Sequence, residues 1–205
     1  MLIIGITGGS GCGKTTVVRE IIKRLPKNSV AVMPQDAYYW DNGHLTPEEK
    51  LNINFDHPNS IEWTLLVEHL DALRRGETIQ MPVYSYISCA RLPETIEIKP
   101  RKVIILEGIL LFTDPELFKR LDIKVFVDAE SDDRLTRIIR RDTVERGRDY
   151  TQVLDHYYRW VKPMHLQFIE PTKRYADIIV PQGGENTVAI DVLSSRVKMK
   201  LDSGE

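Results

Sequence analysis

A glycine-rich turn set between two kinds of hydrophobic periodicity constrains this chain more than any other feature. Leu2-Ile-Ile-Gly-Ile-Thr7 is a β-branched run without polar alternation, as in a strand buried on both faces. It runs directly into Gly8-Gly9-Ser10-Gly11-Cys12-Gly13-Lys14-Thr15, after which Val18, Ile21, Ile22 and Leu25 recur at helical spacing until Pro26. The pattern G-x-x-x-x-G-K-[ST] between a strand and a helix describes a phosphate-binding loop. Its glycines let successive backbone N–H groups converge on phosphate oxygens, and the helix N-terminus adds a favourable dipole. Residues Gly8 to Thr16 are therefore the candidate triphosphate cradle, with Lys14 directed at the β- and γ-phosphates and Thr15 at Mg²⁺. Cys12 reads as a small space-filler within the loop rather than as a reactive thiol.

The remaining chain alternates in the same way. Buried strands are expected at about 29–33, within 102–112, at 121–127 and at 176–181, and helices from Asn59 or Ser60 to about Arg75, at about 131–145 and 151–170, and from about Asn186. This order predicts an α/β fold: a parallel sheet of about five strands, of the P-loop NTPase type, flanked by helices. Residues 35–60 form an aromatic-rich loop with one short helix near Pro47, and Thr78 to Ile87 and Thr95 to Ile98, separated by a polar turn, suggest a β-hairpin over 78–98 kept at an edge by Pro82. At 205 residues the chain fits one domain, residues 1–205, with Asp202 to Glu205 expected to fray. The 28 basic and 30 acidic residues leave a formal charge of −2, which offers no case for nucleic acid or an anionic membrane as the partner. Two cysteines, Cys12 and Cys89, cannot build a disulfide framework, no window approaches 18 apolar residues, and a cytoplasmic address follows as the expectation.

Two acids stand where a phosphate loop needs a metal anchor, at the carboxyl ends of strands. Glu107 closes the run Val103-Ile-Ile-Leu106, and Asp36 lies just beyond the second strand. Either could instead cap the element that follows. Six arginines and no lysine lie between Arg134 and Arg148. Arg134, Arg137 and Arg141 share one helical face, and Gly147 separates Arg146 from Arg148, as the hinge of a closing lid would. Guanidinium forks suit phosphate oxygens, so the stretch favours a kinase, while its interleaved acids also allow a solvated, salt-bridged face for Arg134 and Arg140. An N-K-x-D guanine-recognition element is absent.

Taken together, the strings resemble the uridine kinases of the P-loop kinase group. They include Gly8 to Thr16, Gln35-Asp36-Ala-Tyr-Tyr39, Asn54-Phe-Asp-His-Pro58, Glu107-Gly-Ile-Leu110, Arg141-Asp-Thr-Val-Glu-Arg-Gly-Arg148, Val161-Lys-Pro-Met-His165 and Gly183-Gly-Glu-Asn186. The resemblance implies transfer of the γ-phosphate of ATP or GTP to the 5′-hydroxyl of uridine or cytidine, with Mg²⁺, in pyrimidine salvage. It implies Asp36 as catalytic base, with Lys14 and Arg146 acting on the phosphoryl group, and Thr15 and Glu107 as metal ligands. Asp56 matches the residue that holds the ribose hydroxyls, Arg141 and Arg146 the lid contacts to triphosphate, and Arg148 and Tyr84 the nucleoside contacts. The resemblance also implies a lid over about 141–160 and assembly into dimers or tetramers.

Departures gather in the implied base pocket. The family's Tyr-Asp-Phe, followed by histidine and arginine, reads here Tyr84-Ser85-Tyr86-Ile-Ser-Cys89-Ala-Arg91, so a thiol stands for a histidine. His156 stands for a glutamine, as a tentative base contact, and Ile138 for an arginine. Two other readings accompany the main one: a sister kinase of pantothenate, ribulose phosphate or nicotinamide riboside, and a nucleotide-binding module without turnover. The remaining histidines, His57 and His165 among them, lack metal-ligand spacing and are expected to be structural.

Overall fold

The computed structural model describes residues 1–203; Gly204 and Glu205, part of the end expected to fray, lie outside the described residues. Five strands form one parallel sheet: β1 (Leu2–Thr7), β2 (Val30–Pro34), β5 (Val103–Glu107), β6 (Ile123–Asp128) and β7 (Ile178–Pro181). Their order is β2-β5-β1-β6-β7, and β3 (Ile79–Ser85) and β4 (Ala90–Ile98) pair antiparallel as a separate hairpin. The helices are α1 (Lys14–Lys23), α2 (Pro47–Lys50), α3 (Trp63–Arg74), α4 (Pro115–Phe118), α5 (Ser131–Val144), α6 (Tyr150–His156), α7 (Lys162–Met164) and α8 (Thr187–Asp202).

The uninterrupted apolar strands are explained by cover on both faces. Along β5, Ile104 and Leu106 join a core with Leu66, Leu70 and Leu73 of α3, while Val103 and Ile105 join a second core with Val17, Val18 and Ile21 of α1 and Ile190, Leu193 and Val197 of α8. Side chains of a strand alternate between faces, so an apolar residue is required at every position when both faces are packed. The same division holds in β6, with Phe126 on the α3 side and Val125 and Val127 on the α1 side.

Register brings the functional ends together. Ile6 and Pro34 both pair with Glu107, so β1, β2 and β5 finish level at the carboxyl edge of the sheet. Everything that follows those strands emerges beside its neighbours.

Three expectations are corrected. The helix after the loop begins at Trp63, not at Asn59 or Ser60, because Pro58–Ser60 forms a separate 3₁₀ turn and Ile61 bridges to Tyr39 in an extended conformation. The hairpin turn is tighter than the polar stretch suggested: β4 starts at Ala90, and Cys89 closes the turn at φ +52. The expected regular helix over 151–170 contains two π segments, Tyr157–Val161 and His165–Ile169, on either side of α7.

Leu70, fully buried in α3, tests the packing account. Leu70→Ala is expected to lower unfolding free energy by about 2–5 kcal/mol in urea titration; a change below about 0.5 kcal/mol would contradict it.

Candidate active site

The loop after β1 is held in shape by contacts that exclude side chains. Gly8 takes φ +142, and a Cβ there would lie 2.2 Å from the Val127 carbonyl oxygen. Gly11 takes φ +78, with a Cβ position 2.5 Å from the carbonyl oxygen of Arg134. β6 and α5 therefore press closely on the loop from behind. Lys14 Nζ folds back on the loop, donating to Gly8 O at 3.0 Å and Gly9 O at 3.1 Å. Cys12 is fully buried beneath it.

The loop forms one end of a cleft of about 480 Å³. Ser10, Gly11, Gly13, Lys14, Thr15 and Thr16 line that end; the wall built by the ends of β2 and β5 and the loop after them carries Asp36, Asp56 and Glu107, and the wall built by α5, α6 and the turn between them carries Arg141, Asp142, Glu145, Arg146, Arg148 and His156. Asp36 is carried by a 3₁₀ turn, Gln35–Tyr38, that follows β2 directly. Gln35 anchors the turn, since its buried Oε1 accepts from the Leu110 N–H at 2.8 Å. Glu107 ends β5, and its Oε1 accepts a hydrogen bond from the Thr15 hydroxyl at 2.5 Å. Burial pushes the Glu107 carboxyl upward, against the pull of Thr15 and Lys14, and the Asp36 charge adds to the rise.

Asp56 is 6% exposed. Burial, then the Asp36 charge, pushes its pKa up to about 6, against the pull of Arg141, Lys14 and Arg146. It is therefore a carboxylate at neutral pH, able to accept two hydrogen bonds. His156, just ahead of the first π segment, is pushed down to about 4, chiefly by burial and then by Arg148, so its imidazole is neutral near pH 7.

Aromatic rings close the cleft between the carboxylates and the hairpin. Tyr39 packs against Phe55, Tyr84 and Tyr86 at centroid distances of 5.0, 5.3 and 5.9 Å. Tyr86 lines the cleft, with the Arg146 guanidinium 4.4 Å over its ring, whereas Tyr84 lies behind, outside the cleft lining. Arg91 fastens the hairpin to the Asp36 turn by donating to Tyr39 O at 3.1 Å and pairing with Glu62 at 2.6 Å.

One contributor, Asp142, carried no clear signal in the sequence, and the arginines of α5 take different places. Asp142, in contact with three lid arginines, is buried at the cleft. Arg137 reaches back to Gly11 O at 3.4 Å and to Glu185 at 3.6 Å, linking lid, loop and the segment before α8. Arg134 is buried behind the loop rather than solvated, while Arg140 is exposed. Among the described residues no group of three or more His, Cys, Asp or Glu is arranged for a metal, and no helix is long and apolar enough to cross a membrane.

Similarity to known proteins follows the same lines. The chain is 50% identical over 203 residues to a uridine kinase of Oceanobacillus iheyensis, covering 99% of this chain and 97% of that one. It is 48% identical over 204 residues to a uridine kinase of Clostridium novyi, covering 100% and 98%. Among solved structures, D-glycerate 3-kinase from Cryptococcus neoformans shares the fold with a TM-score of 0.60 at 16% identity, over 82% of this chain and 78% of that one. A structure described as a possible uridine kinase from Bacillus stearothermophilus gives a TM-score of 0.55 at 22% identity, over 87% and 88%.

The electrostatics of the carboxylate wall can be checked directly. A ¹³C NMR titration of the Asp56 carboxyl should show a midpoint near 6, and Asp36→Asn should lower it by removing a neighbouring negative charge. A midpoint near 4 in the unmodified protein, or a rise in the variant, would contradict this arrangement. Residues 3–189 match the phosphoribulokinase/uridine kinase family, and the chain belongs to that family.

Proposed function

We propose that this protein transfers the γ-phosphate of ATP, or of GTP, to the 5′-hydroxyl of uridine or cytidine, forming the monophosphate in pyrimidine salvage. The observation that carries the reading is the cleft's division: a phosphate loop at one end, carboxylates on one wall and arginines on the other. A triphosphate needs the loop and the arginines, and an alcohol acceptor needs a carboxylate base. Membership of the family and the two relatives named as uridine kinases support the choice of nucleoside.

In this reading Asp36 accepts the proton of the 5′-hydroxyl, a contribution of roughly 10²–10⁴-fold in rate. Asp56 accepts hydrogen bonds from the ribose hydroxyls, which fixes the nucleoside so that its 5′-oxygen faces the phosphate loop. Lys14 leaves the Gly8 and Gly9 carbonyls for the β- and γ-phosphate oxygens. Arg141 and Arg146 neutralise charge on the triphosphate from the lid. Arg148 and the neutral His156 face the nucleoside, and Tyr84 supports the Tyr86 and Tyr39 surface behind the base. Closure of the lid, about 141–160, excludes the water that would otherwise hydrolyse ATP.

The Thr15 hydroxyl and Glu107 carboxylate, already in contact, offer the hard oxygen donors that suit Mg²⁺ alongside phosphate oxygens. Thr15 and Glu107 would hold the ion, which would supply neutralisation of charge on the triphosphate. Residues 1–205 act in this reading as one cytoplasmic kinase domain that assembles with copies of itself.

Incubation with Mg·ATP and separate uridine, cytidine, adenosine and pantothenate is expected to give ADP and monophosphate with the pyrimidine nucleosides alone. Turnover confined to pantothenate would assign a sister activity, and absence of nucleoside-dependent turnover would remove the proposal. Asp36→Asn should reduce kcat by roughly 10²–10⁴-fold with ATP affinity within threefold of the parent; full activity in that variant would remove Asp36 from its role.

A further inference from the structure

A buried carboxylate stands among the lid arginines. Asp142 occupies the last full turn of α5, where an acid meets the unfavourable, negative end of the helix dipole. It is only 2% exposed. Helix stability does not call for a carboxylate there; the three cations around it do.

Arg141 Nε donates to Asp142 Oδ1 at 2.7 Å, Arg146 Nη1 lies 3.4 Å from Oδ1, and Arg148 Nη1 lies 3.4 Å from Oδ2. The Arg148 backbone N–H donates to the Asp142 carbonyl oxygen at 3.1 Å, which closes the chain reversal that contains Gly147 at φ +63. One residue therefore ties together guanidiniums from both sides of the glycine. Arg146 is held a second time by the Tyr86 ring, which joins lid to hairpin.

Three like charges converging on one cleft repel one another before any phosphate is present. A carboxylate among them reduces the cluster from three positive charges to a net two and fixes the direction of the guanidinium forks. We propose that Asp142 is a positioning residue: it pre-arranges Arg141, Arg146 and Arg148 for the transferring phosphoryl group without touching substrate itself. This inference rests on the kinase reading above. It has a consequence that a merely structural role lacks, because the Asp142 charge also opposes the triphosphate. Removing that charge leaves ground-state attraction intact or strengthened while the arginines lose the geometry that matters in transfer, and misplacement of that kind can cost about 10²-fold in rate.

The test compares Asp142→Asn and Asp142→Glu with the parent protein. Asp142→Asn should lower kcat by about 10- to 100-fold, with Mg·ATP affinity, measured calorimetrically without nucleoside, within threefold of the parent or tighter. Asp142→Glu, which keeps the charge, should recover most of the lost kcat. An Asn variant with parental kcat, an ATP affinity that falls in step with kcat, or equal impairment of the Asn and Glu variants would overturn the proposal. NMR of arginine Nε–H groups gives a readout that needs neither turnover nor the Asn variant. The Arg141 signal should be protected from solvent exchange in the free parent and in Asp142→Glu; rapid exchange in the parent would also overturn the proposal. Absence of uridine- or cytidine-dependent turnover in the parent would instead refute the kinase substrate, an outcome distinct from all of these.

Discussion

The close approach of β6 and α5 to the phosphate loop is the constraint on which the rest of the site depends. The Val127 carbonyl behind Gly8 and the Arg134 carbonyl behind Gly11 leave no room for a Cβ. The loop can curl as it does only because those two positions are glycine in left-handed backbone. That curl sets where a phosphate can sit, and the level ends of β1, β2 and β5 then decide which side chains face it. Glu107, level with Ile6 at the end of β1, accepts from Thr15 in the first turn of α1, and Asp36 joins them because its turn follows β2 without an intervening loop.

Charge is distributed in the cleft so that neither wall is self-sufficient. On the carboxylate wall, Asp36 raises both Asp56 and Glu107, while Lys14 pulls both back. On the lid, three arginines share one buried carboxylate. A formal charge of −2 for the whole chain thus hides a local separation of charge, with Lys14 and the lid arginines placed to meet a polyphosphate and acids lining the same cleft beside them. The same arrangement accounts for the hairpin's place. Tyr86 meets Arg146 over the cleft, and Arg91 holds β4 against the Tyr39 carbonyl, so the aromatic surface and lid are set against each other.

Much of this was legible in the sequence because local rules and tertiary structure agree. The unbroken apolar runs marked doubly covered strands, and the loop motif in its strand-to-helix setting marked the phosphate end. The placement of Asp36 and Glu107 after strands marked the carboxyl edge. Less legible were features set by three-dimensional closure. Asp142 sits in a stretch of alternating charge whose pattern is the same for a solvated face and for a buried cluster. Arg134 illustrates the ambiguity from the other side, since it is buried behind the loop while Arg140 stays in solvent. The π segments Tyr157–Val161 and His165–Ile169 have no periodic signature, yet the first follows the cleft-lining His156 and the second begins at the buried His165. Strand alternation would put Tyr84 and Tyr86 on one face, but β3 ends at Ser85, so Tyr86 falls in the turn and lines the cleft while Tyr84 stays behind it, both packed on Tyr39.

The central claim is that this cleft delivers a phosphoryl group to a nucleoside 5′-oxygen and not to water. Proton-coupled ³¹P NMR of a reaction containing uridine and Mg·ATP tests it most directly. The account predicts a phosphomonoester signal split into a triplet by the two 5′-methylene protons, growing in equal amount with ADP. Growth of an unsplit inorganic phosphate signal alongside ADP, with no phosphomonoester, would contradict it.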